Sequence, residues 1–128
     1  MNGARDRARV FKTAWFSRAA RKAHIADDEL CSAMRQVMLG QADDLGGGVY
    51  KKRLGKNLYR SIIVARGGRY WVFVYLFAKQ DQANIDERDL RDFRELADLY
   101  ARKSEADLQG EMLIGQLMEI CDGNDSTV

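Results

Sequence analysis

The sequence predicts an α+β fold, with two N-terminal helices and a C-terminal helix packed on a twisted, mainly antiparallel sheet of about four strands. Three observations predict it. Helix-forming stretches precede and follow a run of strands instead of alternating with them. The strands between Val49 and Phe77 are joined by short glycine-containing turns, which is the pattern of a meander. The last of them, Tyr70 to Phe77, is continuously apolar, as a central strand is.

The elements follow in order. Residues 1–9 are charged and lack apolar periodicity, so they read as a flexible N-terminus. Val10-Phe11-Lys12-Thr13 is β-branched and aromatic and reads as the first strand. Ser17 is placed to cap a short helix from Arg18 to Ala23. In that helix Arg18, Arg21 and Lys22 share one face. Asp27 or Asp28 starts the second helix, whose stripe is Leu30, Ala33, Met34, Val37 and Met38, and Gly40 ends it. Asp43 to Gly48 reads as a loop. Its three glycines lack the spacing of a P-loop and no helix follows them. Val49 to Leu54, the turn Gly55-Lys56-Asn57 and Leu58 to Ala65 make a hairpin, and Arg66 to Arg69 turns into the third strand.

Asp86 caps a long helix from Glu87 to Lys103, with Leu90, Phe93, Leu96, Ala97 and Tyr100 as its apolar face. Ser104 caps a shorter one. Leu117 to Ile120 fits a short strand or the end of that helix. The helices are expected on one face of the sheet, with the other partly open. One domain is expected over residues 10–121, followed by a polar tail over 122–128.

Composition narrows the function. The chain is 46% hydrophobic and 31% charged, which suits a globular domain and excludes a disordered one. No run approaches the ~20 apolar residues of a membrane span, and no apolar segment follows the charged N-terminus. A cytoplasmic protein without a membrane partner is expected. Cys31 and Cys121 are then expected as buried thiols and not a disulfide. Neither has a His or second Cys at metal-ligand spacing, so no zinc site is expected. His24 reads as a solvated surface residue.

Net charge is +2, but unevenly spread. Residues 1–79 hold 16 Lys/Arg against 6 Asp/Glu, and residues 80–128 hold 5 against 13. The hairpin concentrates the cations: Lys51, Lys52, Arg53, Lys56 and Arg60, flanked by Tyr50 and Tyr59, with no acid from Gly46 to Arg60. Such a cluster needs its counter-charge elsewhere, and a polyanion such as RNA supplies it. A solvated, aggregation-resistant strand edge is the competing reading.

These phrases together resemble a known family. Val10-Phe11-Lys12-Thr13 with Trp15-Phe16, the run from Asp44 to Leu54, Tyr59-Arg60, and Phe77-Ala78-Lys79 with Asn84-Ile85 are similar to the RelE/ParE superfamily of toxin–antitoxin toxins. The HigB-like RelE branch is the nearest in pattern, and the resemblance runs from about Val10 to Tyr100. It implies a RelE-like fold and a ribosome-dependent mRNA endoribonuclease acting on mRNA in the ribosomal A site. A cognate antitoxin, with the helix-turn-helix type among the candidates, would silence it. The protein would be a monomer or a toxin–antitoxin hetero-oligomer, with no cofactor.

By the same resemblance Lys51, Arg53 and Arg60 match catalytic or phosphate-binding cations, and Lys79 stands beside a further catalytic position. Two positions depart: Gln80 stands where the family type has an Arg, and Asp86 where it has a Tyr. The chemistry would be transesterification by the ribose 2′-OH without metal. Arg53 and Arg60 would stabilise the phosphorane. Lys51 would be the general base, because neighbouring cations favour the neutral amine. Lys79 would serve the leaving oxygen. Lys52, Lys56, Tyr50, Tyr59, Arg18 and Lys22 would contact RNA. The alternatives are a ParE-like toxin of DNA gyrase and a chain that only binds its antitoxin.

Overall fold

The computed structural model describes residues 8–66, 69–82 and 84–121. The expected tail over 122–128, most of the expected loose N-terminus and the glycine pair at 67–68 lie outside these. The elements are β1 (Arg9–Thr13), α1 (Ala14–Lys22), α2 (Asp27–Met38), β2 (Asp43–Gly46), β3 (Val49–Leu54), β4 (Tyr59–Arg66), β5 (Tyr70–Ala78), α3 (Glu87–Ala101), α4 (Glu105–Leu113) and β6 (Leu117–Ile120). The class is α+β, with four helices and six strands among the described residues instead of three and about four. The sheet is mixed, in the order β2-β3-β4-β5-β1-β6. Only the β1–β5 pair is parallel.

The two added strands lie at the two edges. β2 forms in Asp43–Gly46, read above as loop, because Asp43 and Asp44 pair in register with Lys51 and Tyr50. β6 resolves the ambiguity at Leu117–Ile120 by pairing antiparallel with β1. That pairing also orders Arg9, expected in the loose N-terminus. Its guanidinium bonds Glu119 at 2.9 Å and Glu105 at 2.7 Å.

Caps set the helix starts. Thr13, not Ser17, caps α1: its hydroxyl accepts from the Phe16 amide at 3.1 Å, and Ser17 is buried one turn inside. Ala26 precedes α2 without a side-chain cap, while Asp27, Asp28 and Glu29 fill the first turn, where carboxylates suit the helix dipole. Asp86 caps α3 and Ser104 forms a capping box with Asp107 in α4, as the sequence implies.

Helices cover both faces of the sheet, which corrects the expectation of one covered and one open face. α1 and α2 bury Phe16, Ala20, Leu30, Met34 and Val37 against Leu54, Ile63 and Phe73. On the other face α3 and α4 bury Ala97, Tyr100 and Leu108 against Val49, Ile62, Val64 and Val72. Strand alternation divides the residues between the two cores. Each fully buried Phe or Leu contributes roughly 1.5–3 kcal/mol. Cys31 of α2 and Cys121, just after β6, form a disulfide, contrary to the expected free thiols. β6 brings position 121 back beside α2, a proximity invisible across 90 residues of sequence. Among the described residues no helix is long and apolar enough to cross a membrane.

Candidate active site

The β3–β4 hairpin sets the geometry. Gly55, Lys56 and Asn57 all take left-handed backbone angles, and the Leu58 amide donates to the Gly55 carbonyl at 3.0 Å. The Gly55 amide in turn donates to Glu29 at 2.6 Å, tying the turn to α2. This fixes a register in which Arg53 stands opposite Arg60, Lys51 opposite Ile62, and Val49 opposite Val64. Directly opposed residues share a face. Val49, Ile62 and Val64 are fully buried beneath α3, so Lys51, Arg53 and Arg60 belong to that same face. Exposure rises along it, from buried Val49 through half-buried Lys51 to exposed Arg53.

The glycines before β3 let α3 approach. A side chain at Gly48 would collide with the Ala65 carbonyl at 2.4 Å and meet Ala97 at 3.3 Å. At Gly47 it would strike the Arg94 side chain at 2.7 Å. Arg94 itself donates to the carbonyls of Leu45 and Gly46, which holds β2 against α3.

The three cations have different partners. Lys51 donates to Asn84 Oδ1 at 3.1 Å and has Asp43 Oδ2 at 3.7 Å. Arg60 donates to the carbonyls of Asn57 and Tyr59, both at 3.1 Å, and to no carboxylate among the described residues. Arg53 has no hydrogen bond or ion pair among the described residues. A like-charged pair directly across a ladder costs roughly 0.2–1 kcal/mol, and Arg53 and Arg60 form one. A cleft of about 190 Å³ borders Asp43, Lys51, Lys52 and Arg53.

The structure does not gather all the sequence candidates here. Lys52 points to the opposite face, donates to the Gln41 carbonyl at 2.9 Å, and stands opposite buried Ser61. Burial first, then the charge of Arg53, lowers its pKa below the ordinary lysine value. Tyr50 packs on Trp71 with ring centroids 5.3 Å apart, also on that opposite side. Tyr59 packs against the same core. Lys56 is exposed at the hairpin tip. Lys79 is exposed just beyond β5, and its amide donates to the Leu58 carbonyl at the start of the β4 side. Arg18 and Lys22 line a separate cleft beside β5, together with Gln80. Asp86 is occupied as the α3 cap, accepting from the Asp89 amide at 2.8 Å.

Two residues around Lys51 went unremarked in the sequence as site residues. Asp43 was hidden because β2 carries no β-branched residue. Asn84 stands in the sequence only as part of the family phrase; its Oδ1 accepts from the Ile85 amide at 2.9 Å, which closes the strand–helix junction, and from Lys51 at 3.1 Å.

Residues 8–120 match the family described as the RelE toxin of the RelE/RelB toxin–antitoxin system. The chain belongs to the RelE toxin family. Membership implies a toxin with an antitoxin partner. No curated protein matches the chain. Within this RelE fold the cationic face occupies the hairpin, and the two departures at Gln80 and Asp86 stand as a cleft-lining amide and a helix cap.

Proposed function

We propose that this RelE toxin is an mRNA endoribonuclease of the HigB-like branch, acting in the cytoplasm on mRNA in the ribosomal A site. The observation that carries the reading is the register pairing of Arg53 with Arg60 on the face of Lys51, with no carboxylate neutralising either arginine among the described residues. Such a cluster binds one phosphodiester through charge-assisted hydrogen bonds. The ribose 2′-OH attacks the adjacent phosphorus and the 5′-oxygen leaves. Arg53 and Arg60 stabilise the charge that builds on the phosphorane oxygens. Lys79, whose amide bonds the Leu58 carbonyl just before the strand of Arg60, serves the leaving oxygen.

The proton of the 2′-OH passes to the Asp43 carboxylate beside Lys51. Lys51 as the base would need cations alone around it. Asp43 at 3.7 Å removes that premise and offers a carboxylate beside it. Tyr50 and Lys52, on the other side of the sheet, drop out as contacts to the same phosphate.

The test is Arg60→Ala, together with Arg53→Ala. Each is expected to lower cleavage of translated mRNA by about 100- to 1,000-fold, read by primer extension. Folding and antitoxin binding should persist. Full toxicity in Arg60→Ala would end the assignment. Gyrase-dependent DNA damage in place of discrete cuts within codons would favour the ParE-like reading.

A further inference from the structure

The cleft that holds Arg18 and Lys22 has a construction of its own. β1 pairs with β5 only as far as Phe73, so the rest of β5 has β4 on one side and, among the described residues, no strand on the other. α1 runs beside that gap. The resulting cleft, about 550 Å³, is lined on the α1 side by Trp15, Arg18 and Lys22, and on the sheet side by Tyr75 and Phe77. Gln80, Asp81 and Gln82 close its end.

Trp15 is the unusual element. A tryptophan is ordinarily mostly buried, yet this one is 45% exposed. It is not loose. Its ring stacks on Tyr75, with centroids 5.2 Å apart and planes 22° apart. Tyr75 is braced in turn by Phe77 at 5.8 Å and Phe93 at 5.7 Å. The result is a fixed aromatic platform at the cleft wall. Arg18 and Lys22 are exposed one helical turn apart on the same wall, and neither has an ion pair among the described residues. An aromatic face beside two cations matches the two parts of a nucleotide, base and phosphate. Asp81 opposes a purely electrostatic site, so stacking has to contribute. Phe77 links the cleft to the proposed catalytic face, because it stands opposite Arg60 in the sheet register, one strand spacing of about 5 Å away.

We propose that this cleft is a nucleotide subsite, in which one base of the RNA flanking the scissile phosphate stacks on Trp15 and the neighbouring phosphates meet Arg18 and Lys22. The proposal rests on the nuclease reading above. The other occupant that the free β5 edge admits is an extended segment of a protein partner, and the test separates the two.

The probe is a 2′-O-methylated RNA hexamer, which the chain cannot cleave, and the same hexamer with one abasic position. Binding to the full chain is measured at low and moderate salt. Trp15→Ala should weaken binding of the intact hexamer by about fivefold to a hundredfold. The best-placed abasic hexamer should show a similar loss with the unaltered chain and no further loss with Trp15→Ala. Trp15→Phe should recover much of the affinity, and matched thermal melts exclude misfolding. Arg18→Gln should reduce the slope of log affinity against log salt by about 0.7. If Arg60→Ala weakens binding while Trp15→Ala does not, the subsite fails and the nuclease reading stands. If neither matters, or no form binds the hexamer, the subsite fails, and the nuclease reading is decided separately by cleavage of translated mRNA. Unchanged RNA binding with lost antitoxin binding in Trp15→Ala assigns the cleft to a protein strand instead.

Discussion

At the β1–β6 edge Arg9 bonds two carboxylates, Glu105 and Glu119, at under 3 Å. In the β3–β4 hairpin Arg53 faces another arginine. The same side chain thus stands in two opposite settings within one sheet. Around Arg9 the charges are matched inside the fold, its pKa is pushed above the ordinary arginine value chiefly by the bond to Glu119, and the disulfide closes the chain nearby. Around Arg53 and Arg60 the fold supplies carbonyls and a repelling neighbour. Matching indicates a structural role. An unmatched cation pair costs stability in the free protein, and that cost is recovered only when an external anion binds. One edge maintains the fold, and the hairpin is directed outward.

The sharpest way to break this contrast is to cut the structural edge and watch the hairpin. Cys31→Ser with Cys121→Ser opens a loop spanning 90 residues of sequence separation. Loss of such a link costs about 2–5 kcal/mol of stability, read as a lower denaturation midpoint. Cleavage by the folded fraction should be unchanged, because neither cysteine contacts the cationic face. A parallel collapse of activity under conditions where the variant is folded would show that the two regions are not separable.

The hairpin itself is sharpened by Asp43→Asn. The carboxylate stands 3.7 Å from Lys51, and Asn84 gives Lys51 a second partner at 3.1 Å. With Asn84 still holding Lys51, the change removes the proton acceptor and should lower the cleavage rate by about 100- to 10,000-fold. Binding of uncleavable RNA should hold or tighten as an acid leaves the site. A rate that held or rose would return the proton-accepting role to Lys51, because loss of a neighbouring carboxylate favours a neutral amine.

The hairpin was legible in the sequence and the other edge was not, for physical reasons. Gly55 and Asn57 tolerate left-handed angles, so the turn fixed the register, and alternation placed Lys51 and Arg53 together. Asp86 and Ser104 announced their helices because capping is local. β2 and β6 are four residues each and draw their stability from partners far along the chain, Val49–Leu54 and Arg9–Thr13. Thr13 displaced Ser17 as cap because α1 follows β1 without a loop. The apolar stripe of α3 showed that it packs, but not on which face. The Cys31–Cys121 link and the Asn84–Lys51 bond depend on that same long-range folding.

The smallest effect belongs to the structural edge, and it tests whether Arg9 is matched by charge. Glu105 is held below its ordinary pKa of 4.5, first by the hydrogen bond from Arg9 and then by its charge. A carboxyl whose folded pKa is depressed stabilises fully above its unfolded value and loses that contribution as pH falls through the folded one. Arg9→Gln should therefore lower Tm slightly at pH 7, since Glu105 is solvent-exposed and water screens the pair. The gap from the unaltered chain should close progressively as pH drops below 4.5, and it should shrink with added salt. A gap that persists unchanged in acid well below the ordinary carboxylate range, where neither Arg9 partner carries charge, would assign the role of Arg9 to packing. Arg9 lies over the Phe11 ring at 5.0 Å, so that outcome has a physical basis. In that case the contrast between matched and unmatched arginines would rest on the hairpin alone.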